Sequence, residues 1–342
     1  MKNLILFIIL VSNTCSAVKI QGIRYVTETG EGIRFARFRE DVLQLPRNEL
    51  GLNPIKARNA TGGIVAFTSD AKEITARFKI LSANYMGAGF GVFENGELIE
   101  EFKFSRQQTD VVLRFDSTVD GESFFEIALP SFANVEFQAL ENIDAVSSPR
   151  FQALEKPVFV ALGDSISHGV GQDGFGHKTW PFLLARKLDM ELFNLAVGGG
   201  KISVPVGEML EDWEQIDLIT ILVGYNGLHF NEKTPEIYQA DYADLLDAIR
   251  KNHPETKIVC ISMLHTKKPI NEKTGHTLEE FRAELTKLVA ERNDPNLILI
   301  EGDKISSEKN LRADNPKDPV HLGIEGASLF ADELFRILAP VH

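Results

Sequence analysis

The pattern of apolar and polar positions changes character near the middle of the chain. From about residue 18 to residue 145 it consists of short runs rich in Phe, Val, Ile and Thr, which alternate partially and are separated by turn residues. These runs are GGIVAFTS, EITARFKIL, GFGVFENGELIEEFKF, TDVVLRFDS, ESFFEIALPSF and VEFQAL. Asn95 and Gly96, inside the third run, suit a tight hairpin turn because both central positions of such a turn need positive φ. No helical period extends over any length here, so the pattern predicts an all-β sandwich or jelly roll.

A different pattern follows the segment AVSSPRFQ, residues 145–152, which we interpret as a linker. Five continuous apolar stretches, typical of buried strands, now alternate with helical stretches. The strand stretches are PVFVALG, ELFNLAV, DLITILVG, KIVCISML and NLILIEG; the main helical ones are TWPFLLARKL, YADLLDAIRKN, LEEFRAELTKLVAERN and GASLFADELFRIL. This order predicts a doubly wound, flavodoxin-like α/β domain with a five-stranded parallel sheet. We therefore expect a β domain over 18–150 and an α/β domain over 151–342.

The first residues have the layout of a secretory signal peptide. Lys2 precedes an apolar run, residues 4–11, which is too short to span a bilayer, and small residues end at Ala17. We expect cleavage near Ala17 and a secreted or periplasmic protein. Cys15 suggests lipoprotein anchoring as an alternative, but Ser-Asn-Thr before it is a poor lipidation signal. Cleavage leaves Cys260 as a single thiol in an apolar strand, so no internal disulfide is expected.

Composition and charge narrow the classes of partner. The chain has 342 residues, of which 44% are hydrophobic and 25% charged, as in a folded globular protein. Its net charge of −13 argues against nucleic acid or an anionic membrane as a partner, and we find no basic cluster along the sequence that outweighs it. No His-Glu-x-x-His run, cysteine cluster or acidic calcium loop is present, so we expect no metal site.

Polar residues stand directly after the apolar strands, where doubly wound sheets bind their ligands. The first strand ends in Gly163-Asp164-Ser165, the second in NLAVGGG and the third in VGYNG, and the last long loop contains DPVHLG. These four blocks, in this order, resemble the SGNH subgroup of GDSL esterases and acylhydrolases over residues 157–342. With the preceding β domain, the chain resembles the two-domain carbohydrate acetylesterases.

The resemblance implies a role for each matching residue. Ser165 takes the position of the nucleophile, His321 that of the general base and Asp318 that of the carboxylate that orients the base. The backbone amide of Ser165, Gly199 and Asn226 match the oxyanion hole. Gly227 departs from the family, which usually has an acidic residue after the Asn of the third block. The family needs no cofactor.

Physical chemistry supports the same roles. A serine hydroxyl is a poor nucleophile until a base takes its proton, and histidine suits that task near neutral pH. The base needs a partner on its other ring nitrogen, and Asp318, three residues before His321, has a fitting spacing. An oxyanion needs preorganised donors, which an Asn amide and the unobstructed backbone of a glycine can supply.

Each of these residues also has an ordinary structural interpretation. A serine after a strand is often a helix N-cap, and Asn226 or the GGG of residues 198–200 could simply form turns. Asp164 is expected to hold its turn through backbone amides. His168 and His177 flank the nucleophile loop, and Trp180 is interpreted as core. The stretch 169–176 lacks the spacing and lysine of a phosphate loop and is interpreted as a rim of the active site.

The sequence thus predicts a secreted serine esterase that removes acetyl groups from a polysaccharide or oligosaccharide. The acidic balance favours a neutral glycan similar to xylan or glucomannan. Two alternatives are a lipase or thioesterase that acts on longer acyl chains, and a glycan-binding protein without catalysis. The complete set of five site residues argues against the second alternative.

Overall fold

A computed structural model describes residues 18–141, 156–230 and 233–339. The predicted signal peptide, the linker at 145–152 and the predicted domain boundary at 150 lie outside these described residues. Within the described residues, no helix has both the length and the apolar character needed to cross a membrane.

Ten strands of the N-terminal half form two antiparallel sheets. They are β1 (Lys19–Gln21), β2 (Tyr25–Glu28), β3 (Ile33–Ala36), β4 (Ile64–Ser69), β5 (Glu73–Ala83), β6 (Gly89–Glu94), β7 (Glu97–Lys103), β8 (Asp110–Asp116), β9 (Ser123–Ala128) and β10 (Ala133–Glu141). One sheet has the order β1-β4-β9-β6-β7 and the other β2-β3-β10-β5-β8. All six apolar runs that predicted strands contribute to them.

Aromatic residues from both sheets meet in one core. Phe78 of β5 and Phe90 of β6 belong to different sheets, and their ring centroids are 4.5 Å apart. The predicted hairpin is confirmed, because β6 pairs with β7 and the two turn residues, Asn95 and Gly96, have φ of 51° and 92°. A sandwich with an inward apolar face on each sheet follows from this alternation.

The span predicted for the β domain also contains three short helices that the sequence pattern did not predict. Three short helices, α1 (Glu40–Leu43), α2 (Arg47–Leu50) and α3 (Pro54–Ala57), follow β3. Each is a single turn long, too short to produce a helical period in the sequence. Residues 37–58 belong to the α/β unit, whereas residues 174–177 belong to the β-sandwich unit.

Arg37 is one reason why residues 37–58 belong to the α/β unit. Its guanidinium is 1% exposed and donates to the backbone oxygens of Asn194, at 2.5 Å, and Ala196, at 2.9 Å. It also donates to the backbone oxygen of Ala57, at 3.2 Å. Burial lowers the pKa of Arg37 to about 9, so it stays charged at neutral pH. A single buried cation therefore joins α3 to the segment that follows the second parallel strand.

The C-terminal half contains the predicted five-stranded parallel sheet. Its strands are β11 (Val158–Gly163), β12 (Glu191–Asn194), β13 (Leu218–Leu222), β14 (Lys257–Ile261) and β15 (Leu297–Ile300), in the order β12-β11-β13-β14-β15. The order reverses direction at β11, so the crevice at the carboxyl end of β11 is where this fold binds ligands. The doubly wound, flavodoxin-like fold is confirmed.

Seven helices of the described residues connect or flank these strands. They are α4 (Ser165–His168), α5 (Trp180–Leu188), α6 (Val204–Met209), α7 (Tyr225–Phe230), α8 (Pro235–Asn252), α9 (Leu278–Arg292) and α10 (Ile324–Leu338). Trp180 is fully buried and meets Phe330 of α10 edge to face, with 5.3 Å between ring centroids. The interpretation of Trp180 as a core residue is therefore correct. Cys260 is also buried, and burial raises the pKa of its thiol to about 12, as expected for an unreactive cysteine.

Candidate active site

Ser165 is placed by the turn that ends β11. Asp164 caps α4, since its Oδ1 accepts from the backbone N–H of Ile166 at 3.0 Å and its backbone oxygen accepts from His168 N–H at 3.0 Å. Ser165 is the first residue of this short helix. The expected role of Asp164 in holding the turn is therefore observed, and the turn presents the Ser165 hydroxyl at the carboxyl end of the sheet.

The Asp164 carboxyl is itself unusual because it is only 2% exposed. Burial raises its pKa to about 6, against the lowering effects of the Ile166 amide and of the nearby His321 ring. A buried carboxyl with a raised pKa therefore immediately precedes the serine.

The structure brings the three predicted catalytic residues together. Ser165 Oγ lies 2.8 Å from Nε2 of His321, and Nδ1 of the same ring lies 2.9 Å from both carboxylate oxygens of Asp318. Because a carboxylate can only accept, Nδ1 carries the proton and Nε2 is left to accept from the serine hydroxyl. This arrangement of hydroxyl, imidazole and carboxylate can activate a serine as a nucleophile.

Asp318 is held in its charged form. Burial acts to raise its pKa, but hydrogen bonds from the His321 ring and from the backbone amides of His321 and Val320 outweigh burial, so the pKa is well below 3.8. Arg312 adds a positive charge, with Nη1 3.5 Å from Asp318 Oδ2. The carboxylate is thus available to accept from His321 across the neutral range.

The loop that carries His321 is braced by residues that the sequence analysis did not identify. The backbone N–H of Arg312 donates to the His321 oxygen at 3.1 Å, and Gln172 Nε2 donates to the Leu322 oxygen at 2.7 Å. Gln172 is 1% exposed, and its bond ties the segment after Ser165 to the segment after His321. No sequence signal marks such a brace, since it depends on side chains that meet only after folding. The interpretation of 169–176 as a rim of the active site stays a prediction.

Gly199 lies in a loop that hydrogen bonds to α4 hold in place. The backbone N–H of Gly198 donates to His168 Nδ1 at 2.8 Å, and Asn194 Nδ2 donates to the Ser167 oxygen at 2.9 Å. Gly199 has φ of 81°, which favours glycine, and the nearest atom to a Cβ built on it is Lys56 Nζ, at 3.9 Å. His168 and Asn194, both fully buried, thus join this loop to α4, the helix that Ser165 begins.

Asn226 lies in the segment that follows a third parallel strand, β13. It is the second residue of α7, is 7% exposed, and donates from Nδ2 to the Gly200 oxygen at 2.9 Å. The other N–H of that amide can donate elsewhere. Gly227, where the family usually has an acidic residue, continues α7, and its N–H donates to the Gly224 oxygen at 2.8 Å. The departure from the family pattern is therefore accommodated within a regular helical turn.

His177, which also flanks the nucleophile loop in the sequence, is not part of the group formed by Ser165, His321 and Asp318. His177 belongs to the β-sandwich unit, where its Nε2 lies 2.7 Å from Glu101. Among the described residues, no group of three or more His, Cys, Asp or Glu side chains is arranged to hold a metal ion.

Comparison with known proteins identifies the α/β unit. The model of the GDSL-like Lipase/Acylhydrolase family matches residues 161–329, a range that contains Ser165, Gly199, Asn226, Asp318 and His321. Comparison with curated protein sequences gives no match.

Solved structures similar to this chain contain both of its parts. The salicylyl-acyltransferase SsfX3 of a tetracycline biosynthetic pathway is 20% identical, with a TM-score of 0.81 over 97% of this chain and 98% of that one. A family two carbohydrate esterase of Clostridium thermocellum, in complex with cellohexaose, is 15% identical, with a TM-score of 0.65 over 94% and 98%. A family two carbohydrate esterase of Cellvibrio japonicus is 16% identical, with a TM-score of 0.65 over 94% of each chain.

At such identities these likenesses establish a shared fold, while the family match and its motif residues establish the class of enzyme. Residues 161–329 therefore form a domain of the GDSL-like lipase and acylhydrolase family, and the activity that this supports is that of an esterase or acyltransferase.

Proposed function

We propose that this protein is a secreted serine esterase that hydrolyses acetyl esters on a polysaccharide or oligosaccharide through an acyl-enzyme. The observation that carries the proposal is the 2.8 Å contact between Ser165 Oγ and His321 Nε2, with Asp318 on the opposite nitrogen of the same ring. This geometry supports general-base activation of Ser165 without any movement of the chain.

In the first half-reaction, Ser165 Oγ attacks the ester carbonyl while His321 Nε2 takes the hydroxyl proton. The tetrahedral intermediate then collapses, the bond to the sugar oxygen breaks, and His321 returns the proton to that oxygen. Asp318 stabilises the imidazolium that exists between these two steps. The products are the free sugar hydroxyl and an acetylated Ser165.

The negative charge on the carbonyl oxygen needs donors that are in place before the reaction. We assign this role to the backbone N–H groups of Ser165 and Gly199 and to the Asn226 amide. The hydrogen bonds of Gly198 to His168 and of Asn226 to the Gly200 oxygen support the assignment, because they fix the two donor segments rigidly. Preorganised donors of this kind each contribute about 3 kcal/mol to transition-state stabilisation.

In the second half-reaction, a water molecule gives its proton to His321 Nε2 and its oxygen attacks the acetyl carbonyl. Acetic acid leaves, and Ser165 regains its proton. Every group that this cycle uses belongs to the protein, the substrate or water, so the proposed reaction requires no cofactor.

The glycan substrate and secretion have support that is separate from the catalytic geometry. The glycan is supported by the fold shared with the carbohydrate esterases, and secretion by the signal-peptide layout of residues 1–17.

The experiment that tests this proposal measures acetate release from a panel of acetylated glycans and, in parallel, the hydrolysis of 4-nitrophenyl acetate and 4-nitrophenyl octanoate. We expect acetate release, a higher kcat/KM for the acetyl ester, and the loss of both activities in Ser165→Ala. Preference for octanoate would favour the lipase or thioesterase alternative. Glycan binding without hydrolysis of any ester would favour the binding-protein alternative.

Acyl transfer to an acceptor hydroxyl is a second candidate, favoured by the TM-score of 0.81 with the salicylyl-acyltransferase. The first half-reaction would be the same, and an alcohol would replace water in the second. Product analysis in the presence of xylose or glycerol separates the two candidates: a hydrolase gives acetate, whereas a transferase gives the acetylated acceptor.

A further inference from the structure

Positively charged side chains from separate parts of the α/β unit surround the loop that carries Gly199. Lys56, on α3, donates from Nζ to the Gly198 oxygen at 3.2 Å. Lys201 follows Gly199 by two residues, and its backbone N–H donates to the Gly51 oxygen at 3.0 Å. The fold thus brings α3 and the loop after β12 together, with a lysine on each.

A third lysine approaches from the side of Asn226. The backbone N–H of Lys233 donates to the Gly227 oxygen at 3.3 Å, and its Cδ lies 3.8 Å from where a Cβ on Gly227 would stand. We refer to Arg47, Lys56, Lys201 and Lys233 as the basic cluster. It flanks two of the three proposed oxyanion donors.

The members of the basic cluster are close enough to influence one another. Burial, and after it the positive charge of Arg47, lowers the pKa of both Lys56 and Lys201. Burial, and after it the charge of Lys201, lowers the pKa of Lys233. This mutual repulsion shows that four positive charges share one region of the α/β unit.

Most of this charge is not neutralised by the part of the chain that the structure describes. Lys233 pairs with Asp241, but within the described residues no carboxylate lies within 4.0 Å of Arg47, Lys56 or Lys201. Lys56 and Lys201 are half-buried. Grouped, partly desolvated like charges cost free energy unless an anion joins them, so their placement beside the reacting centre requires a functional explanation.

We propose that the basic cluster binds an anionic group, a carboxylate or a sulfate, that the substrate carries close to the scissile ester. This inference rests on the proposed ester hydrolysis and adds the charge of the substrate to it. It also revises the expectation of a neutral glycan, which rested on the net charge of −13. The net charge describes the whole chain, whereas recognition depends on the charges within about 10 Å of the ligand, the screening distance at moderate ionic strength.

The test compares three acetyl esters that differ in one substituent: 4-acetoxybenzamide, which is neutral, 4-acetoxybenzoate and 4-acetoxyphenyl sulfate. The quantity measured is kcat/KM for each anionic ester divided by that for the amide. In the double variant Lys56→Gln/Lys201→Gln we expect at least one of these ratios to fall by about fivefold or more. Lys56 also donates to the Gly198 oxygen, and a change in that loop that slows all three esters equally cancels in the ratios. The ratio that falls further identifies carboxylate or sulfate as the group recognised.

Lys287→Gln, on the surface of α9, is the matched control for loss of a positive charge and should leave both ratios unchanged. Unchanged ratios in the double variant, or an equal fall for all three esters, would overturn the inference while leaving the proposed hydrolysis intact. An enzyme that hydrolyses none of the three would instead contradict the proposed function. High salt should lower the ratios of the wild type and not those of the double variant.

Discussion

Nε2 of His321 lies 2.8 Å from Oγ of Ser165, although the two residues are 156 positions apart in the sequence. Ser165 begins the helix after β11, and His321 stands in a loop that precedes the last helix. Backbone pairing of Arg312 with His321 and the Gln172 bond to the Leu322 oxygen hold this loop in place. The proximity is therefore built into both loops and does not depend on a single contact.

The role of Asp318 gives the first prediction. In Asp318→Asn the amide can donate to Nδ1, which allows the ring tautomer that cannot take the serine proton, so kcat should fall by about 10³ to 10⁴-fold. The measurement is the steady-state hydrolysis of 4-nitrophenyl acetate. Asp314 is an exposed carboxylate in the same loop and pairs with Arg312. Its replacement in Asp314→Asn should change kcat by less than about twofold. A small effect of Asp318→Asn would contradict the assigned role.

Asn226 should act on the transition state rather than on substrate binding. Asn226→Ala removes one oxyanion donor, and we expect kcat to fall by about 10² to 10³-fold with KM nearly unchanged. Asn271→Ala is the matched control, because Asn271 Nδ2 donates to the Leu228 oxygen, at 2.6 Å, and thereby also anchors α7. Similar losses of kcat in both variants would show that Asn226 only fixes the helix.

Two glycines of the site should respond to alanine in opposite directions. A Cβ on Gly163 would lie 2.6 Å from Ser167 Oγ and 2.9 Å from the Leu222 oxygen, so Gly163→Ala should lower the free energy of unfolding by about 1 to 3 kcal/mol. A Cβ on Gly227 would meet nothing closer than 3.8 Å, and alanine favours helix, so Gly227→Ala should stabilise by up to about 1 kcal/mol.

Urea unfolding followed by tryptophan fluorescence measures this difference. Both tryptophans, Trp180 and Trp213, belong to the α/β unit and report on it alone. Equal stability of the two glycine variants would show that the end of β11 is less tightly packed than the structure indicates.

Asp164 gives a pH dependence of stability. Its pKa is about 6 in the folded protein and ordinarily 3.8, so the native state binds more protons than the unfolded chain between these values. The stabilising effect of its protonated form is present at low pH and is lost as pH rises through 6, an amount of about 3 kcal/mol. Asp164→Asn lacks this titration, so its stability relative to wild type should increase by about that amount between pH 4 and pH 7.

Urea unfolding of both proteins at several pH values measures the difference. The comparison cancels groups that titrate in both, including Asp318, whose lowered pKa acts in the opposite direction. Parallel stability curves for the two proteins would mean that the Asp164 carboxyl is solvated in the native state.

The sequence predicted the parallel sheet because continuous apolar strands leave little ambiguity, and parallel strands place their carboxyl ends at one edge, where Ser165, Asn226 and the loop of Gly199 follow them. The catalytic roles were implied instead by the resemblance of four sequence blocks to the SGNH esterases, and the chemistry of the residues supports them. The helices α1–α3 escaped prediction because one turn is too short for a period. The roles of Arg37, Gln172 and the basic cluster were not predicted, because each acts through residues that are distant in sequence. A local sequence pattern contains no information about such partners.

The central claim is that Ser165 is the nucleophile that carries the acyl group. Its most direct test is reaction with a fluorophosphonate ester, followed by intact mass measurement and peptide mapping. The account predicts one adduct per chain, located on Ser165, absent from Ser165→Ala and formed far more slowly in His321→Ala. An adduct on another residue, or an equal rate of labelling in Ser165→Ala, would contradict it.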